Sequence, residues 1–383
     1  MTSGVDVVDL ARRLIRCRSV TPADDGALGV LAGALEPLGF TCTRVTFSDA
    51  DTPDVDNLYA RWGTGRPNIA FAGHTDVVPA GDAADWTVDP FGGEIQGEDL
   101  IGRGAVDMKG AIAAFVAAAA QAVRGRDPET ASISLVITGD EEGPSINGTR
   151  KLLTWLAERG EAIDGAIVGE PTSGARLGDT VKVGRRGSLN AIVTATGRQG
   201  HTAYPQHAVN PVHNLVQALN AAITTPLDDG SAHFEPSTLQ VTSIDVGNPA
   251  SNVIPARAQA RLNVRFNDRH DSAGVRAWLA ERMAAGGGDI ALETRTSGES
   301  FLSPPGPLTD ALTGAVGECL GCAAELGTGG GTSDARFIKD VCPVAELGLK
   351  NATAHRVDER VPLADLRDLS EVYRVALNRL LEP

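Results

Sequence analysis

Residues 68–79 read Asn68-Ile69-Ala70-Phe71-Ala72-Gly73-His74-Thr75-Asp76-Val77-Val78-Pro79. The stretch 68–73 is short and apolar without alternation, the pattern of a strand buried on both faces. A histidine and an aspartate follow at once. The arrangement recurs downstream. Residues 132–138 form a second buried-strand run, followed by Asp140-Glu141-Glu142, and residues 165–169 a third, followed by Glu170. Helical spacing of apolar residues marks 7–15, 26–38 (ending at Gly39), 110–123 and 149–158. Buried strands alternating with helices predict an α/β fold, a largely parallel sheet sandwiched by helices.

The middle of the chain changes character. Residues 188–195, 239–246 and 256–266 read as strands of a half-exposed sheet. In the last, Ala256, Ala258, Ala260, Leu262, Val264 and Phe266 alternate with Arg257, Gln259, Arg261, Asn263 and Arg265. That period of two puts one face inward and one outward. Helical patterns at 209–223 and 272–285 accompany them. An inserted α+β domain is therefore expected at 183–297, and helix and strand patterns resume after Pro304, Pro305 and Pro307. The catalytic domain becomes discontinuous, 1–182 plus 298–383, and a length of 383 residues is itself more than one core comfortably serves.

Composition narrows the function. The net charge of -15 would repel nucleic acid and an anionic membrane surface over most of the molecule. An anionic substrate needs a local basic patch, and Lys182, Arg185 and Arg186 supply a candidate. Five scattered cysteines (Cys17, Cys42, Cys319, Cys322, Cys342) fit a reducing compartment. Cys319 and Cys322 form a CxxC with no further ligands at motif spacing, so packing at a helix end is the simpler reading. Charges at Asp6, Asp9, Arg12 and Arg13 interrupt any signal-peptide run, and the Ala-rich stretch 111–122 is too short to span a bilayer. A cytoplasmic protein is expected, with no nucleic-acid or membrane partner.

The acids and histidines beyond the strand ends carry the chemistry. His74, Asp76, Asp107 (in Gly-Arg-Gly-Ala-Val-Asp-Met-Lys-Gly), Asp140, Glu141, Glu142 and Glu170 come from separate segments. Ligand sites of open α/β sheets lie outside the carboxyl ends of the strands. Singly, each has an ordinary reading: a turn, a solvated acidic loop, a strand-ending residue before Pro171. Gathered at one edge they repel one another, and a cation resolves the conflict. Histidine mixed with carboxylates suits zinc, whereas an all-oxygen set suits magnesium or calcium. His-Glu-x-x-His, the Gly-x-Ser-x-Gly elbow and the phosphate-binding glycine loops are missing.

Gly-His-Thr-Asp-Val-Val-Pro, Gly-Arg-Gly-Ala-Val-Asp-Met-Lys-Gly, Asp-Glu-Glu-Gly and Gly-Glu-Pro-Thr, in this order, resemble the M20 family of zinc aminoacylases and exopeptidases. The resemblance covers nearly the whole chain. It implies two zinc ions, with Co2+ or another divalent ion an option at the second position. His74, Asp107 and Glu170 would hold one; Asp107, Glu142 and His355 the other, with Asp107 bridging. Glu141 would be the general base and Asp76 would orient His74. His355 rests on the resemblance alone. The family also implies a homodimer in which His201, in Gly-Gln-Gly-His-Thr-Ala-Tyr-Pro, reaches a partner's site to stabilise the oxyanion; read without it, His201 is a turn residue. Where the family has a further histidine after Tyr204-Pro205, this chain has Gln206 and then His207.

Segments 181–188 (Val-Lys-Val-Gly-Arg-Arg-Gly-Ser), 251–255 and 329–334 (Gly-Gly-Gly-Thr-Ser-Asp) resemble the branch of the family that hydrolyses the amide of an N-succinylated amino acid. Arg185, Asn252, Arg265, Thr332 and Ser333 would then contact substrate. Solvent exposure on its strand is an adequate alternative for Arg265, a solvated strand end for Arg185, and a flexible linker for the glycine-rich loop. Asp334 is a candidate support residue. A deacetylase of the same family is the alternative activity. A non-catalytic relative would have lost Glu141 or Asp107, and both are in place.

Overall fold

The computed structural model describes residues 4–382. The chain forms two compact units: the first runs to Val183 and resumes with Ser303–Gly327 and from Ser333, while the second takes Gly184–Leu302 and Thr328–Thr332.

The first unit is built on an eight-stranded sheet. Its order is Thr41–Asp49, Thr52–Trp62, Ser132–Thr138, Asn68–His74, Gly165–Val168, Val344–Glu346, Thr180–Lys182, Glu325–Gly327. Asn68–His74 lies between Ser132–Thr138 and Gly165–Val168, parallel to both. Every residue of these three strands is buried, which is why their sequences are continuous apolar runs. In register, His74 lies opposite Thr138 and Ala72 opposite Val168, so the segments carrying His74, Glu141 and Glu170 emerge at the same edge. The sheet is mixed: the hairpin of Thr41–Asp49 and Thr52–Trp62 joins antiparallel, as does the pairing of Val344–Glu346 with Thr180–Lys182. The hairpin has no counterpart in the sequence reading. Its first strand carries three threonines and has no buried position, so it lacks a clean apolar period.

Behind the sheet, helix Lys109–Ala122 is buried at every position but Gln121. Alanine lets its neighbour Leu363–Leu381 approach closely. Between them and the central strand, Phe71 stacks on Phe115 with centroids 4.4 Å apart, and Tyr373 meets both edge-on at 5.9 and 5.7 Å. The Tyr373 hydroxyl donates to the Leu347 carbonyl. Phe71 lies three residues before His74 on the same strand, and burying each aromatic side chain contributes about 1.5–3 kcal/mol.

The second unit is a four-stranded antiparallel sheet, Thr238–Asp245, Arg257–Phe266, Gly187–Thr196, Asp289–Gly298, with helices Pro211–Ile223 and Ser272–Ala284 packed on it. Ala258, Ala260, Leu262, Val264 and Phe266 point into a core with Leu189, Val193, Leu215, Leu219, Val275 and Leu279. The strand Asp289–Gly298 crosses the boundary expected at 297, and the unit runs on to Leu302. Its loops are tied by Asp228. That carboxylate accepts the Gly230 and Ser237 amides (2.8 and 3.1 Å), the Asn267 side-chain amide (2.6 Å) and pairs with His270 Nε2 at 3.0 Å.

Among the described residues all five cysteines are free thiols, and no helix is long and apolar enough to cross a membrane.

Candidate active site

His74 ends its strand and is 1% exposed. Its Nδ1 lies 2.8 Å from the backbone carbonyl of Asp76 and 3.6 Å from that residue's carboxylate. With Nδ1 donating there, Nε2 is the nitrogen left to face the site. Nε2 is 3.3 Å from Asp107 Oδ1 and 3.7 Å from Glu170 Oε1. On the far side of Asp107, Oδ2 is 3.2 Å from His355 Nε2, which lies 2.7 Å from Glu142 Oε1. Asp107 thus offers one oxygen to each histidine, and each histidine has its own glutamate. Ligand atoms of His74, Asp107 and Glu142 also fall within 4.8 Å of one another, as do those of His74, Glu141 and Glu170, so His74 is common to both groups and Glu141 belongs to the second.

The acids and histidines perturb one another strongly. Burial would lower His74, but Asp107, Asp76 and Glu141 raise it well above its usual value. The hydrogen bonds to Asp107 and Glu142 push His355 up to about 10. Burial would raise Asp107, yet the two histidines hold it well below the carboxylate range. Glu141 is raised by burial, then by the charges of Glu170 and Asp334. The cluster calls for positive charge at its centre. His74 Nε2 and Asp107 Oδ1 are buried without a hydrogen-bond partner although they face each other. Two imidazole nitrogens with carboxylate oxygens, two of their atoms orphaned, fit a transition-metal site.

The supporting residues differ in part from expectation. The Asp76 carboxylate accepts the Glu141 and Glu142 amides at 3.3 and 3.0 Å, and burial raises it to about 6 despite them. It therefore ties the His74 strand to the loop of the two glutamates, while its backbone carbonyl holds the ring. Both oxygens of Asp140 are taken up within its own loop, accepting the Ser145, Ile146 and Asn147 amides to build the turn after Glu142. Asp334 is buried and lies 3.7 Å from Arg336. Ser333 is fully buried and donates its hydroxyl to Glu346 at 2.8 Å, so its side chain is engaged within the fold. His355 sits in left-handed backbone, φ 61°, after the 3-10 turn Asn351–Thr353. Glu359, unremarked in the sequence, is wholly buried and accepts the amides of Val106 and Asp107 at 2.9 and 3.1 Å. An acid four residues beyond a suspected ligand was the one signal available for it.

The remaining candidates lie in the second unit. His201 is exposed on a two-residue strand paired with Val253–Ile254; the Ala203 amide donates to its Nδ1 at 3.0 Å, and the Thr202 amide donates to the Asn252 carbonyl at 3.0 Å. That ladder sets His201 beside exposed Asn252. Gln206 and His207 form an exposed 3-10 turn. Arg185 is 4% exposed and donates to the Gly331 carbonyl at 2.7 Å, in the loop that carries Thr332. Arg265 is half-buried rather than solvated: its Nη1 is buried without a hydrogen-bond partner, and burial and the Arg186 charge lower its pKa.

Similarity to known proteins gives independent grounds. The model of "Peptidase family M20/M25/M40" matches residues 70–379. A succinyl-diaminopimelate desuccinylase of Rhodospirillum centenum is 58% identical over 98% of this chain and 97% of its own, and one of Rhodospirillum rubrum 54% over 97% of each. Among solved structures, an M20 family metallo-carboxypeptidase from Sulfolobus solfataricus superposes with TM-score 0.78 at 15% identity, covering 98% of this chain and 99% of that one. The Bacillus subtilis YXEP protein, described as a dinuclear metal binding peptidase, does so with TM-score 0.68 at 14% identity, over 97% and 96%. Those likenesses carry the fold; the match over 70–379 and the long, highly identical alignments carry descent, and the chain belongs to the M20/M25/M40 peptidase family.

Proposed function

We propose that this enzyme hydrolyses the amide bond of N-succinyl-L,L-2,6-diaminopimelate to succinate and L,L-diaminopimelate, a step of lysine and diaminopimelate biosynthesis. The observation that carries the hydrolytic reading is Asp107, its two oxygens divided between His74 and His355 at 3.3 and 3.2 Å. Names borne by relatives at 50–58% identity support the substrate.

In this reading His74, Asp107 and Glu170 hold one zinc, and Asp107, Glu142 and His355 a second zinc, Co2+ or other divalent ion. The metals would lower the pKa of a shared water and polarise the amide carbonyl. Glu141 would take the proton from that water and return it to the leaving amine. Asp76 keeps His74 and the Glu141-Glu142 loop in register. His201 donates to the developing oxyanion from a partner subunit. Arg185, Arg265, Asn252, Thr332 and Ser333 are assigned to substrate. Of these Arg265, with a shielded Nη1 beside Arg186, is best suited to a carboxylate. Ser333 would act through its backbone, its hydroxyl being engaged.

The inserted domain is assigned to pairing subunits and closing over substrate. Exposed Val216 and Ile223 on one helix and Ile244 on the neighbouring edge strand are apolar surface that a second copy would cover. A cytoplasmic homodimer completes the proposal. The test is steady-state hydrolysis of N-succinyl-L,L-diaminopimelate beside N-acetylornithine, with metal removed and restored. Strong metal-dependent preference for the succinylated compound is expected; preference for acetylornithine would overturn the substrate while leaving the metal chemistry.

A further inference from the structure

We propose that Glu359 is a positioning residue that sets the spacing between Asp107 and His355 and thereby governs metal affinity at the His355–Glu142 position. The inference rests on the two-metal reading above.

Both oxygens of Glu359 are committed. Oε1 accepts the Val106 and Asp107 amides, and Oε2 accepts the Gly104 amide at 3.1 Å and Arg103 Nη1 at 2.7 Å. The Glu359 backbone carbonyl also accepts the Gly102 amide at 2.9 Å. One carboxylate therefore wraps the loop 103–107, which ends in the residue shared by both ligand sets. Glu359 lies four residues after His355, so the grip fixes the His355 loop against the Asp107 loop.

Arg103 extends the grip to a third segment. Buried at 2% exposure, it donates to the carbonyls of Arg356 (3.3 Å) and Pro79 (3.5 Å), and its guanidinium lies 5.2 Å from the Trp86 ring centroid. The Trp86 indole N–H in turn donates to the Ala80 carbonyl at 2.9 Å. A single buried ion pair thus binds the loops following His74 and His355 to the loop preceding Asp107.

A carboxylate is needed here and an amide will not serve. Four donors converge on two oxygens, and glutamine would replace one acceptor by an NH2 facing donors, leaving buried groups unpaired. The two metal positions should feel this unequally. His74 and Glu170 are placed by strand ends, and His74 is further held by Asp76. His355 has a 49% exposed side chain on left-handed backbone, and its placement comes from its loop.

The experiment is calorimetric titration of zinc into apo wild type and Glu359→Gln, repeated with Co2+, whose visible absorption reports coordination. Wild type should bind two ions. In Glu359→Gln one ion should bind as in wild type and the other about 10–100-fold more weakly, the usual cost of losing a residue that orients a ligand. With substrate at fixed zinc, kcat should fall and recover as zinc is raised. A general loosening of the fold would weaken both ions together, and that result, or two wild-type affinities, overturns the proposal. Should Glu359→Gln fail to fold, Glu359→Asp keeps the charge, and a several-fold loss confined to one ion is expected. A wild type that binds fewer than two ions would instead remove the two-metal reading beneath it.

Discussion

His74 in the first unit is 1% exposed and meets protein atoms at both ring nitrogens, whereas His201 in the second is exposed on a two-residue strand with the Ala203 amide at its Nδ1. The contrast extends to their neighbours. Around His74 the carboxylates are buried and mutually perturbed, locked by backbone amides donated to Asp76, Asp140 and Glu359. Around His201, Asn252, Gln206 and His207 are exposed. One unit holds this histidine and its acids within the protein's own core, and the other leaves His201 and its neighbours open to solvent. Damage to the first should strike catalysis at its source, and damage to the second should alter how substrate is handled while metal content stays whole.

The largest effect tests the first half of that contrast. Glu141→Ala should lower kcat by about 10²–10⁴-fold with two metals still bound by elemental analysis. Near-normal turnover would remove Glu141 as the base. His201→Ala should cost somewhat less, about 10²–10³-fold in kcat, with unchanged metal content and unchanged zinc affinity. Metal loss in that variant would break the division of labour between the units.

The smallest effect concerns stability alone. Asp228 is held at about 2; burial opposes this, but the Ser237, Gly230 and Asn267 donors outweigh it. A folded value below the unfolded one of about 3.9 means that its stabilisation is complete above that pH and vanishes as pH falls through 2. Asp228→Ala should therefore destabilise the second unit by about 2 kcal/mol at pH 7. The gap from wild type in urea melts should narrow at pH 3, with kcat at neutral pH unchanged. A gap that stays constant with pH would show that the carboxylate's charge is not what ties those loops.

What could be read from sequence follows the same division. Fully buried strands announce themselves as unbroken apolar runs, so 68–73 and 132–138 located His74, Asp76, Glu141 and Glu142 by their ends. The alternation of 256–266 likewise marked its sheet, although the edge strand Asp289–Gly298, carrying Glu293, Thr294 and Arg295, went unread. His355 follows a three-residue strand and a 3-10 turn in backbone more usual for glycine, leaving no periodic signal, and only family resemblance pointed to it. Glu359 was passed over because it serves backbone amides more than 250 residues away, a partnership that its position four residues after His355 only hints at. Arg265 looked solvated because alternation assigns a face without telling what else lies on that face.

The discontinuity of the first unit has a consequence for its birth on the ribosome. His74 and Phe71 leave the tunnel long before His355 and Tyr373, separated by 281 residues in the case of the histidines, 355 less 74. At translation rates of about 5–20 residues per second, roughly 15–55 s pass between them. Through that interval the central strand waits for the helix that will wedge Tyr373 against Phe71, while most of the Gly184–Leu302 segment, contiguous in the chain, is already free to fold. The nascent first unit is thus the part that stays unfinished longest, and His355, assigned above to a metal in the proposed function, arrives with the segment that completes its core.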